Sequence, residues 1–238
     1  MAHDSNNKRA YTNLPLEIFV LALTVLPFFI LAYFYTALPN RIPLFINLRG
    51  EVTDWGEKSV FSVFRVPLIA VVMQVVCILM KYETMRSQAS APLAAAHATL
   101  QERYRSLNTR MWDWLRWTIG FKTTAESLHT IFLSITTLSF LSQPTFFVTI
   151  VVTMIGALGA LLYLYRLLVV DRTMKRQYPK QNVRNPIDKQ QLYARVFYFN
   201  RLDSALFVSK YGFNFANVRA WVLIACAIAY PLLVFLPG

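Results

Sequence analysis

The stretch Leu38-Pro39-Asn40-Arg41-Ile42-Pro43-Leu44-Phe45-Ile46-Asn47-Leu48-Arg49-Gly50-Glu51-Val52-Thr53-Asp54-Trp55-Gly56-Glu57-Lys58 is a polar, turn-forming segment set between two long apolar runs. Pro39 and Pro43 fix φ and push the residue before each out of the helical region, so the entry is extended. Gly50 and Gly56 supply corners that other residues resist. Asn47, Asp54, Glu57 and Lys58 add hydrogen-bonding capacity, and the amphipathic ring of Trp55 suits a membrane–water boundary. These features predict a short ordered cap across the mouth of two membrane helices.

The flanks of the cap set the class. Of the 238 residues, 56% are hydrophobic and only 15% charged, too apolar for a soluble domain, where about a quarter of residues are charged. Residues 1–13 read as a polar tail. Residues 14–35 are almost wholly apolar, long enough for a hydrocarbon core of about 30 Å, and without an Ala-x-Ala site they read as an uncleaved anchor. A second span covers 60–80, with Arg65 snorkelling from its first turns and Gln74 bonding across helices. Residues 92–121 predict a cytoplasmic interfacial helix, its Trp112, Trp114 and Trp117 interleaved with arginines at the headgroup level. The third span, 124–141, is rich in Ser and Thr and is expected to lie among other helices. The fourth, 146–170, opens after Pro144 and carries Gly156 and Ala160, a small-x-x-x-small face for close helix packing. A basic cytoplasmic segment follows over 171–217, and the fifth span lies within 218–238. The expected architecture is an all-α transmembrane five-helix bundle.

Charge orients it. Lys and Arg number two in the tail, three in the 38–58 loop, seven between Lys81 and Lys122, and eleven from Arg166 to Arg219. Cytoplasmic loops collect such residues, which puts the N-terminus inside and the cap outside. The net charge of +12 is therefore read as membrane orientation and contact with anionic lipids, not as nucleic-acid binding. Cys77 and Cys226 both lie in apolar runs and make no disulfide framework.

The order Leu38-Pro39-x-x-Ile42-Pro43, followed by Asn47, Gly50, Trp55 and Lys58, resembles the signature of a bacterial membrane-protein family of unknown function that includes immunity proteins against a sporulation-delay toxin. A second stretch, from Phe197-Tyr198-Phe199-Asn200 through Asp203, Lys210 and Gly212 to Asn217, resembles a small domain often found in the same proteins. Together they cover roughly a fifth of the chain. The resemblance implies a multi-pass protein of a prokaryotic cytoplasmic membrane, with a binding or structural role for the motif residues. Relatives usually carry a His two residues after the second Pro, where this chain has Phe45, so any role of that His is lost here.

The chain carries no strong catalytic constellation. Glu126-Ser127-Leu128-His129 has the Glu-x-x-His spacing of di-iron bundles, but such sites need two copies and two further glutamates. His129 is a weak candidate ligand for a pigment or haem, and a hydrogen-bonded interior His is the more ordinary reading of the same residue. No cofactor or metal is expected. There is no Gly-rich phosphate loop and no Gly-x-Ser-x-Gly, and no paired broken helices of a transporter. A non-enzymatic protein is expected. One reading is a structural or accessory subunit packing on other integral membrane subunits, which the loss of the motif His at Phe45 slightly favours. The alternative is an immunity-like, signal-transducing protein that binds a peptide or protein through the outer loop.

Overall fold

The computed structural model describes residues 14–47, 49–86, 95–177 and 217–235, together with four two-residue strands between 192 and 213. Among these residues there are five α-helices: α1 Leu14–Phe34, α2 Val60–Arg86, α3 Ala95–Ser134, α4 Ser142–Gln177 and α5 Val218–Phe235. The chain is mostly helical. Three segments, Leu14–Ala37, Val60–Met85 and Thr136–Met174, are long and apolar enough to cross a membrane, and Val218–Leu233 is a shorter apolar helix.

The 38–58 segment is a hairpin. Strands β1 (Arg41–Ile46) and β2 (Val52–Glu57) pair antiparallel, Arg41 opposite Glu57 and Pro43 opposite Trp55, with register shifts around Phe45. Pro43 is accommodated because a two-stranded ribbon leaves each strand an edge without a partner.

The largest departure from the sequence reading concerns the interfacial helix 92–121 and the third span 124–141. They are one continuous 40-residue helix, α3, ending at Ser134. Residues 110–134 contain no Pro, and a single interior Gly120 costs only about 1 kcal/mol, so nothing interrupts the helix where a boundary was expected. It stops where Ile135 turns extended, and 136–141 form a 3-10 turn outside α3. Helix α4 is likewise longer than the expected 146–170, and its end takes in residues 171–177 of the expected basic segment. Of the rest of that segment, two short antiparallel pairs are described, Leu192–Tyr193 with Phe197–Tyr198 and Phe207–Val208 with Gly212–Phe213. The remainder of 178–216 lies outside the described residues, as does the tail 1–13.

Contacts divide the chain into two units. One comprises 12–75, 114–160 and 229–238. Its core gathers Leu31 from α1, Leu38 and Ile42 from the hairpin, Val63 from α2 and Ile131 from α3, all buried. Phe64 stacks on Phe28 and Tyr35, with ring centroids 5.9 and 6.4 Å apart. The other unit comprises 1–11, 76–113 and 161–228. Its core sets Ala220 and Leu223 of α5 against Val76, Leu79 and Met80 of α2.

Candidate functional site

The hairpin is built from its turn outward. Asn47 Oδ1 accepts the backbone N–H groups of Arg49 (2.9 Å) and Glu51 (3.0 Å), and its Nδ2 donates to Glu51 Oε2 at 2.8 Å. Gly50 donates its N–H to the Asn47 carbonyl at φ +82°, a left-handed conformation that only Gly adopts without cost. A Cβ at Gly50 would also lie 3.2 Å from the Phe146 ring.

At its base the hairpin is tied to helix ends. Lys58 Nζ donates to the carbonyl of Leu38 at 2.7 Å and lies over the Tyr35 ring, while its backbone N–H reaches the Asn40 carbonyl at 2.8 Å. The cation thus satisfies a carbonyl just past the end of α1, where helical partners run out. Ser59 and Ser62 exchange bonds, each hydroxyl accepting the other's N–H (2.9 and 2.8 Å), a reciprocal cap for α2. Arg65, expected to snorkel from the first turns of α2, reaches the hairpin. It is buried, donates to the Leu44 carbonyl at 2.9 Å and lies 4.9 Å over the Phe45 ring. Phe45 thereby serves as a cation–π platform. Phe45 and Trp55 are nevertheless 45% and 49% exposed, two aromatic surfaces on a braced ribbon.

A second group joins Gln74, which bonds across helices as expected, to charges whose pairing the sequence reading missed. Glu17, inside an apparently apolar run, accepts from Arg116 Nη1 at 2.7 Å. Arg116 is buried, and Gln74 brackets it, donating from Nε2 to the Arg116 carbonyl (2.8 Å) and accepting from Arg116 Nε (3.2 Å). In the other unit Lys81 meets Asp113 at 2.6 Å, and Arg219 meets Glu83 at 2.7 Å. Charges taken out of water need such partners. Arg116 and Asp113 are three residues apart, and so share one face of α3. That spacing, opposite a lone acid at position 17, was the legible signal. The arrangement serves assembly: in these three pairs each charge meets its opposite.

Trp114 and Trp117 pack within the chain. Trp114 Nε1 donates to the Gly156 carbonyl at 3.1 Å. Trp117 lies against Phe19 and Phe121, at 5.2 and 6.1 Å between centroids, and the indole nitrogen of Trp112 is buried without a hydrogen-bond partner. Gly156 is buried, and a Cβ there would lie 2.1 Å from Thr118 Cγ2, so this small residue seats α4 on α3 within the chain, with Ala160 half-buried one turn on. Along the entry to the hairpin, Leu38, Ile42 and Pro43 are buried, whereas Pro39 is exposed.

His129 is buried in α3. Its Nδ1 lies 2.8 Å from the Ser142 carbonyl, which fixes the tautomer with the proton on Nδ1. Its ring neighbours Phe146 at 5.3 Å, and Nε2 is buried with no hydrogen-bond partner. Among the described residues no group of three His, Cys, Asp or Glu side chains gathers as a metal would require. Glu126 pairs with Lys122 one turn before it on the same helix.

Residues 22–71 match the model of a family described as a domain of unknown function, DUF1648. The matched segment takes in most of α1, the whole hairpin and the opening turns of α2. No curated protein and no solved structure matches the chain.

Proposed function

We propose that this is a non-enzymatic integral membrane protein whose hairpin binds a peptide or protein partner outside the membrane, in the manner of the toxin-immunity proteins its motif resembles. The observation that carries this reading is the hairpin itself: held by Asn47, Lys58 and Arg65, it still exposes Phe45 and Trp55. Aromatic groups held rigid before binding lose little entropy on contact, the economy that makes them frequent anchors of interfaces. The family match centres on the same segment. The excess of Lys and Arg between 81 and 122 and beyond 166 supports an orientation in a prokaryotic cytoplasmic membrane with the N-terminus inside and the hairpin outside.

A second reading, an accessory subunit of a larger membrane complex, is favoured by α4. Only 6% of its most apolar window is buried, leaving Phe147, Met154, Leu158 and Leu161 open to lipid or to another subunit. In-cell photo-crosslinking separates the two. A photoreactive residue at Trp55 should give a discrete adduct that disappears when Asn47→Ala and Gly50→Val loosen the turn. Discrete adducts from Phe147 and none from Trp55 would replace the hairpin reading by the subunit reading.

A further inference from the structure

In the unit containing 76–113 and 161–228, a groove of about 490 Å³ lies between α3 and α4. From α3 it is lined by Leu100, Arg103 and Leu107, spaced to share one face, and from α4 by a face that includes Tyr165, Arg166 and Val169. Both guanidinium groups are exposed. Among the described residues, the buried Arg65 is committed to a carbonyl, and the buried Arg116 and half-buried Arg219 to carboxylates. Arg103 and Arg166 have no ion-pair partner among the described residues. Two unpaired cations on facing helices repel each other unless an anion lies between them.

The depth of the groove identifies that anion. Arg166 lies near the C-terminal end of the apolar segment Thr136–Met174, where exposed Leu161, Leu164 and Leu168 give way to Asp171 and Arg172. An apolar floor beside two arginines at the end of a membrane span offers acyl contact and phosphate contact together. A soluble anion would use only half of that surface. Guanidinium groups bind phosphate through paired, charge-assisted hydrogen bonds, and a tyrosine at the rim is typical of headgroup depth.

We propose that this groove holds an anionic phospholipid, its phosphate between Arg103 and Arg166 and an acyl chain along Leu100, Leu107 and Val169. The assignment rests on the reading that the chain is an integral membrane protein, and adds to it a defined lipid site. The test uses the full chain, purified in a neutral detergent and titrated with phosphatidylglycerol while bound lipid is counted by native mass spectrometry. One phosphatidylglycerol per chain should be retained in preference to phosphatidylcholine, and glycerol phosphate should not displace it. Arg103→Gln and Arg166→Gln should each weaken retention about tenfold, on the scale of one lost charge-assisted bond. Arg110→Gln, on the same helix but outside the groove, should leave it within about twofold. Val169→Trp, which fills the groove and keeps both charges, should also reduce retention, so the result does not depend on the arginine variants alone. Equal losses in Arg110→Gln would show a diffuse charge effect and overturn the site. So would unchanged retention in Val169→Trp together with the double arginine variant. Extraction of the wild-type chain from membranes by carbonate is a separate outcome, one that would remove the membrane reading itself.

Discussion

The indole of Trp114 spans the α4 backbone at its glycines: Nε1 bonds to the Gly156 carbonyl at 3.1 Å, and a Cβ added at Gly159 would fall 2.1 Å from the same nitrogen. Gly159 thus admits a tryptophan that any side chain would expel, and Gly156, three residues earlier, admits Thr118 in the same way. The close helix approach expected from Gly156 and Ala160 is consumed inside the chain, with Gly159 as the second small residue.

Gly159→Ala is therefore expected to destabilise the protein, by about 1–3 kcal/mol as for other overpacked sites, and Gly156→Leu by more. The measurement is the midpoint of thermal unfolding in detergent, followed by Trp fluorescence or by size-exclusion recovery after heating. Wild-type stability in Gly156→Leu would mean that α4 does not rest on Thr118 and Trp114.

The Lys81–Asp113 pair predicts a signed coupling. Removing either partner leaves a charge that has lost its counter-ion, so Lys81→Met or Asp113→Leu alone should cost about 3–5 kcal/mol. The double variant should recover most of that loss, because an apolar pair of similar volume is often nearly neutral in such a site. A double-mutant cycle on unfolding in detergent measures the coupling, and additive losses would contradict the pairing.

Topology is checked by labelling. Single cysteines replacing Asp54, in the hairpin, and Arg110, in α3, are both at exposed positions. An impermeant maleimide should reach Asp54→Cys in intact cells and Arg110→Cys only after lysis, because Lys and Arg resist translocation. Labelling of both in intact cells would reverse the proposed orientation.

Three long apolar helices were legible in the sequence, as runs longer than a bilayer is thick, and so was an ordered cap between the first two of them. Pro39 and Pro43 restrict φ locally and Gly50 permits the positive φ that a tight corner requires, so a cap between the helices needs no distant partner to be read. The tertiary structure alone decided what the polar residues do. Glu17, Gln74 and Arg116 lie far apart in the chain; the two charges taken singly read as end-of-helix groups, and Gln74 as an amide whose partner on another helix is unnamed. Only their meeting makes them one buried cluster. The same holds for α3. Its mixed composition suggested a surface helix followed by a weak span, since periodicity reports the polarity of a face and not what covers it. The absence of Pro from 110–134 leaves the helix continuous, and the packing of Trp114, Arg116 and Ile131 against neighbouring segments decides what covers it. Local backbone preferences travel with the sequence, whereas charge compensation is a long-range property, set only when segments distant in the chain come together.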